Sequence, residues 1–239
     1  MTSTPLQTSD ISVIIPTLNE EEQISNWCKF QSLMGAHDTW ASLPCEIIIV
    51  DGGSSDQTVF LARSLGLRVE TCSPGRGVQL NHGARMASGK ILLFLHADTR
   101  LPAGFARPIL DCLEKPTTIA GAFSLTIEDA GLLLKTICFW ANLRSRLLQL
   151  PYGDQAIFIR RDDFLRLGGF PETPIMEDFI FIRRAAQEGR ITTLPQRVTT
   201  SARRWQRRGI IRTTLINQLV ILGFYARVPL RKLASLYRR

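Results

Sequence analysis

The last 51 of the 239 residues contain no aspartate or glutamate, yet they carry 12 lysines and arginines. Residues 1–188 hold 17 basic against 21 acidic side chains, so the overall charge of +8 comes from the tail alone. An acidic-to-neutral body with a basic tail directs the tail towards phosphates of some kind. No C-x-x-C pair occurs among the five widely spaced cysteines (Cys28, Cys45, Cys72, Cys112, Cys138). Neither a zinc site nor a disulfide framework is signalled, and a reducing, cytoplasmic setting is expected. The first ten residues lack an apolar leader segment, so no secretory signal is expected. The uncharged stretch over residues 213–226 falls short of the roughly 20 residues of a membrane span. Internal repeats and low-complexity linkers are absent. Disorder is excluded too, because 45% of the residues are hydrophobic and only 21% charged.

What is present is an alternation. Short β-rich apolar runs over residues 11–15, 46–50, 67–71 and 91–95 are separated by predicted helices over residues 20–34, 56–65 and 78–87. Pro16 is read as the stop of the first run, and Asp56 as the cap of the second helix. Four strands alternating with helices predict an α/β fold with a parallel sheet covered on both faces. Ligands of such sheets sit at the carboxyl ends of the strands, where residues 16–20, 51–55 and 96–98 fall. The rhythm then changes: a helix to residue 114, a strand over 119–127, an apolar helix over 132–150, a strand over 156–160 and a helix over 178–188. The basic tail is expected to follow directly.

Three acidic positions ask for an explanation: Asp51, Asp98 and the pair Glu177-Asp178. For Asp51 a turn or cap role is as good as any other. Asp98 closes a wholly apolar strand beside His96, and its carboxylate suits a hard divalent cation whose shell diphosphate and water would complete. His96 alone reads better as structural than as a ligand. Glu177-Asp178 follows a Gly-Gly-Phe-Pro turn and opens a helix. Helix capping explains the pair; so does a general base with a supporting carboxylate, and spacing does not decide. Gly75-Arg-Gly-Val-Gln-Leu80 is too partial a match for a dinucleotide fingerprint, but it brings Arg76 to a glycine-rich helix entry where a phosphate would fit.

Together these residues resemble a family 2 glycosyltransferase of the GT-A fold. The segments, in order, are Ser12-Val-Ile-Ile-Pro-Thr-Leu-Asn-Glu20, Ile49-Val-Asp-Gly-Gly-Ser-Ser-Asp56, Gly75-Arg-Gly-Val-Gln-Leu-Asn-His-Gly83, Leu93-Phe-Leu-His-Ala-Asp98, Gly153-Asp-Gln155, Gly168-Gly-Phe170 and Glu177-Asp178. The nearest likeness is to a small bacterial subgroup associated with radical-SAM and selenium-domain proteins. The resemblance implies a mostly parallel central sheet flanked by helices, with a transferase domain over residues 1–205 and a helical basic tail over 206–239. It implies that Pro16, Glu20 and Asp51 line the nucleotide pocket with Arg76 nearby, Asp51 reading a base expected to be uracil ahead of guanine. Asp98 would be the last carboxylate of the D-x-D metal motif, His96 replacing the first, for Mg²⁺ or Mn²⁺. Asp178 would be the catalytic base, beside Glu177. Processive members carry Q-x-x-R-W where this chain reads Ser201-Ala-Arg-Arg-Trp205. Arg204 and Trp205 would keep a diphosphate or acceptor contact, without polymerisation.

The activity so implied is inverting, metal-dependent transfer of a hexosyl group from a nucleotide-diphosphate sugar to a hydroxyl or carboxyl acceptor, expected to be lipid-linked. A nucleotidyltransferase or an NAD(P)-dependent oxidoreductase would want a glycine-rich loop after the first strand, where this chain has Pro16-Thr-Leu-Asn-Glu20. A non-enzymatic phosphate or nucleic-acid binder would want stacking aromatics among the tail arginines, which are interleaved with aliphatic residues instead, and no nucleic-acid partner is expected. The tail is apolar almost all round over residues 211–226 and must be covered. Pro229 breaks it before a short stripe of Leu230, Leu233 and Leu236 flanked by cations. An anionic membrane surface on the inner face of the cell membrane is the expected cover; the chain's own domain or a second subunit in a homodimer is the alternative.

Overall fold

The computed structural model describes residues 7–34, 45–128 and 130–238. Two nearly unbroken β-branched runs form its centre, β1 (Ile11–Thr17) and β2 (Glu46–Asp51), joined through α1 (Glu21–Met34). The chain continues through α2 (Thr58–Ser64), β3 (Arg68–Thr71) and α3 (Arg76–Met86) to β4 (Ile91–Phe94). These four strands are parallel and lie side by side in the order β3-β2-β1-β4. Successive residues bury on opposite faces: Val13, Ile49 and Leu93 enter one core, Ile14, Ile48 and Leu92 the other. A sheet covered on both sides needs apolar residues at consecutive positions, which is why these strands read as runs rather than alternations.

β1 does not stop at Pro16 as expected but pairs on to Thr17, opposite Asp51. The reason is local. The carbonyl of Ile14 accepts from Leu95, on the β4 side, and that of Thr17 from Gly52, on the β2 side. Pro16 therefore faces the β4 side, two residues beyond the last β1–β4 pair, Ile14 with Phe94. Its missing N–H is not needed there.

The second half adds β5 (Thr99–Arg100), α4 (Ala106–Leu113), β6 (Thr118–Ile127), α5 (Leu132–Leu148), β7 (Phe158–Arg160), α6 (Arg161–Arg166), α7 (Glu177–Ala185) and β8 (Arg190–Thr200). The full sheet order is β3-β2-β1-β4-β7-β6-β8-β5. β7 runs antiparallel to β4 and β6, while β6 and β8 are parallel. β8 corrects the expectation that the tail begins after Glu188. Pro195 and Gln196 lie inside the strand, where the register steps from Phe123–Leu194 to Ser124–Arg197 and leaves both residues in a bulge. A bulge is where a sheet tolerates proline.

The tail forms α8 (Arg203–Arg208), α9 (Ile210–Tyr225) and α10 (Leu230–Arg238), broken before Leu230 where Pro229 was expected to break it. α9 buries Ile216 and Val220 against Met176 and Phe179 of α7 and its entry, with Leu230 and Leu236 packed alongside. Ile211, Leu215, Leu219 and Leu222 lie on its other face, each more than half exposed. Among the described residues no helix is long and apolar enough to cross a membrane.

Candidate active site

The carboxyl ends of β1 and β4, the entry of α3, the entry of α7 and the tail helices enclose one cavity of about 1120 Å³. Its first wall is the end of β1 and the loop that follows it: Pro16, Thr17, Leu18 and Glu20. Glu20 is half-buried and forms an ion pair with Arg203 at 3.0 Å, tying that loop to α8. Burial raises the Glu20 carboxyl above its ordinary range, while the hydrogen bond from Arg203 pulls it back. Gln79 of α3 locks the neighbouring strand ends: its Nε2 donates to the carbonyls of Thr17 and Val50, both at 2.8 Å.

Asp51 stands apart from the lining residues. It is 1% exposed. Its Oδ1 accepts from the hydroxyls of Thr17 (3.1 Å) and Ser54 (2.5 Å), and its Oδ2 from the backbone N–H groups of Gly53 and Ser54 at 2.9 and 2.7 Å. In this conformation Asp51 shapes the Gly-Gly-Ser-Ser loop instead of lining the cavity.

Opposite lies the α7 entry. Asn81 of α3 clamps the Gly-Gly-Phe turn, accepting from the N–H of Phe170 and donating to its carbonyl. Met176 sits in the left-handed region at φ 67° immediately before Glu177, a strained conformation of the kind that clusters at functional sites. Glu177 is buried, with Arg76 Nη1 3.2 Å from its Oε1. Burial raises the Glu177 carboxyl, Arg76 opposes the rise, and Asp178 adds to it. Asp178 Oδ2 accepts from the N–H of Gly153 at 2.6 Å, and Oδ1 from that of Phe179 at 2.7 Å. Its carboxylate is thus fixed in direction at the cavity edge, each oxygen keeping a further lone pair.

At the end of β4, Asp98 and His96 both line the cavity. The hydroxyls of Thr99 and Thr200 approach Asp98 Oδ1 at 3.4 Å. Desolvation, with the positive charge of Arg76 behind it, pushes His96 down to about 3. The imidazole is therefore neutral at any ordinary pH and offers a lone pair. One carboxylate and one neutral imidazole form an incomplete donor set. Among the described residues no group of three or more His, Cys, Asp or Glu side chains is assembled to hold a metal. Such a set fits a cation that arrives with oxygen ligands of its own, as a diphosphate complex does.

Among the described residues, two buried polar atoms of the walls have neither a hydrogen bond nor an ion pair, Asp154 Oδ1 and Trp205 Nε1, and both residues line the cavity. An orphaned buried donor or acceptor costs roughly 1–3 kcal/mol, and both atoms are free to form a hydrogen bond with a bound group. Burial raises the Asp154 carboxyl to about 6, with Arg144 opposing and the charges of Asp178 and Asp98 contributing to the rise. Sequence reasoning gave Asp154 no role. The only signal was its place in the segment Gly153-Asp-Gln155; burial against two other carboxylates is not visible in a string. Sequence reasoning also did not place α9 and α10 in the site, yet Asn217, Val220, Ile221, Arg231 and Tyr237 line the cavity beside Tyr152, Ile175 and Phe179. Ser201 and Trp205 lie on the same wall; the side chain of Arg204 falls outside the described residues.

Residues 12–164 match the profile of Glycosyl transferase family 2. No curated protein matches the chain. Among solved structures, the mannosyltransferase PcManGT from Pyrobaculum calidifontis, in complex with GDP-Man and Mn²⁺, is similar with TM-score 0.66 and 22% identity, over 98% of this chain and 70% of that one. S. aureus TarS 1-349 in complex with UDP-GlcNAc gives 0.56 at 19%, over 80% and 58%. Glucosyl-3-phosphoglycerate synthase from Mycobacterium tuberculosis, in complex with Mn²⁺, UDP and glucosyl-3-phosphoglycerate, gives 0.53 at 22%, over 78% and 70%. At these identities the likeness shows the GT-A fold, with its mostly parallel sheet flanked by helices. Because the family profile covers well over half of the sequence, the chain belongs to glycosyl transferase family 2.

Proposed function

We propose that this chain transfers a hexosyl group, with inversion and in a single displacement, from a nucleotide-diphosphate sugar to a lipid-linked hydroxyl or carboxyl acceptor. The observation that carries the reading is the convergence of Asp98, Asp154 and Asp178 on one cavity whose two sides differ in chemistry. The side made by Pro16, Thr17, Leu18 and Glu20 takes the nucleoside, with Asp51 holding the adjoining loop in shape; UDP is favoured over GDP. Asp98 and His96 would hold Mg²⁺ or Mn²⁺ together with the donor diphosphate, where the cation would supply electrostatic stabilisation of the leaving charge. Arg76 is bound to Glu177 and adds positive charge on the same floor. The Trp205 N–H, unpartnered in the wall, is available to a diphosphate or acceptor oxygen; Arg204 joins this role on sequence alone.

Asp178 accepts the acceptor's proton as the acceptor oxygen bonds to the anomeric carbon and the carbon–oxygen bond to the diphosphate breaks. No covalent sugar intermediate is required. Asp154, whose Oδ1 has no hydrogen-bond partner among the described residues, receives the hydroxyls of the transferred sugar. The remaining wall is apolar (Tyr152, Ile175, Phe179, Val220, Ile221) with Arg231 at hand, which suits an acceptor with a lipid body and an anionic group. We therefore read residues 1–205 as the catalytic domain and the 206–239 tail as its acceptor wall and membrane-surface contact. Ser201, where processive members carry glutamine, supports single transfer.

The experiment is to incubate the protein with a panel of nucleotide sugars, Mn²⁺ and a membrane-lipid extract, and to follow donor and product by NMR. An α-linked donor should give a β-linked product first. An α-linked first product would contradict inversion, and a lipid fraction left unglycosylated while water-soluble acceptors react would contradict the lipid acceptor.

A further inference from the structure

α5 leaves one of its faces uncovered. At about 100° per residue, Leu132, Thr136, Phe139, Trp140, Leu143 and Leu147 fall on one stripe. The opposite face is the one bound to the sheet: Asn142 pairs with the backbone of Leu125 in β6, and Ser145 with Thr193 in β8. The stripe is left to solvent, with Leu132 84%, Phe139 61%, Trp140 62% and Leu147 70% exposed. The rings of Phe139 and Trp140 stack edge to face, 5.6 Å apart. An apolar face this large on a surface helix marks an interaction site.

Charge selects the occupant. From residue 130 to residue 153 the sequence has no acidic side chain, while Lys135 and Arg146 flank the stripe. The exposed stripe of α9 is likewise followed only by cations. A relay of side chains around the cavity links the two helices. The Arg144 guanidinium of α5 lies 3.4 Å over the Tyr152 ring, Tyr152 packs at 6.1 Å on Phe179, and Phe179 at 6.1 Å on Tyr225 at the end of α9. Tyr152 and Phe179 are cavity walls. Two apolar, cation-flanked faces beside one cavity wall match an anionic bilayer, whose interface favours Trp and Phe and attracts Lys and Arg.

We propose that α5 is a membrane-docking helix: its exposed stripe seats in the interface of an anionic bilayer alongside α9, bringing the Tyr152–Phe179 wall of the cavity to the lipid surface. This rests on the lipid-acceptor reading above and adds to it a contact made by the body of the protein, independent of the tail.

The test uses the full chain and phosphatidylglycerol vesicles with brominated acyl chains. Bound protein should show quenched tryptophan emission, and Trp140→Phe should remove most of the quenching while keeping co-sedimentation. Phe139→Glu with Leu147→Glu, both at exposed positions, should weaken vesicle binding by about tenfold or more with nucleotide affinity unchanged. Vesicle binding that the double variant leaves intact, with Trp140 unquenched, would overturn the α5 assignment and leave the tail contact standing. Wild-type protein that never sediments with these vesicles would overturn the tail contact as well. A wild-type dimer that the double variant converts to monomer, without quenching, would show that a second copy covers the stripe and would also overturn the proposal.

Discussion

Asp178 and Asp154 show how differently two carboxylates of one cavity are treated. Asp178 is held by two backbone N–H groups, which fixes the direction of its carboxylate, as the proposed base requires. Positioned general bases contribute about 10²–10⁴-fold, so Asp178→Asn should lose about that much transfer rate with nucleotide affinity nearly unchanged; a near-normal rate would remove Asp178 from the role. Asp154 instead has a buried oxygen with no partner. Its carboxyl rises from an ordinary value near 3.8 to about 6, so the folded protein binds this proton more tightly than the unfolded chain. The stability that protonation contributes is fully present below about pH 4 and is lost as the pH rises through about 6. Asp154→Asn should therefore stabilise the ligand-free protein at pH 7.5 by about 1–3 kcal/mol, the gain vanishing near pH 4. Denaturant melts across that range check the sign. Asp98, Glu177 and Asp178 were legible because each ends an apolar strand or opens a helix. Asp154 was not, because nothing in its immediate sequence shows that it is buried against other carboxylates.

At the scale of elements, α3 carries more of the site than its short sequence suggests. Through Gln79 it closes the ends of β1 and β2, through Asn81 it clamps the Gly-Gly-Phe turn, and through Arg76 it meets Glu177. Gly77 is what lets α3 approach that turn. A Cβ there would lie 2.6 Å from the carbonyl oxygen of Pro171, a backbone atom with no rotamer in which to escape. Alanine within a helix ordinarily gains about 1 kcal/mol over glycine, whereas overpacking costs about 1–3 kcal/mol. Gly77→Ala should thus be net destabilising and weaken nucleotide binding; a variant more stable than wild type in urea would show that the α3–Pro171 contact yields freely. The parallel half of the sheet was legible from periodicity, because strands buried on both faces leave apolar runs. β8 was not, because its Pro195-Gln196 bulge and its many threonines and arginines look like the loop and tail that the surrounding charge pattern suggests.

For the whole molecule, the four-strand parallel half and the helical tail with its Pro229 break follow from the sequence. The closing of the cavity does not. α9 and α10 return across α7, and Arg203 joins α8 to Glu20, 183 residues away in the sequence, contacts that no local pattern encodes. The same return places an apolar wall across one cavity from the Pro16–Glu20 side, which is the basis for the proposal of a transferase working between a nucleotide sugar and a lipid. The most direct test of that account is calorimetric titration of the full chain with UDP-sugars, with and without Mn²⁺, in wild type and Asp98→Ala. With only Asp98 and the neutral His96 as donors, Mn²⁺ alone should bind weakly, UDP-sugar affinity should rise markedly when Mn²⁺ is present, and Asp98→Ala should abolish that rise. Binding with the same metal dependence in Asp98→Ala, or no binding of any nucleotide sugar by the wild type, would contradict it.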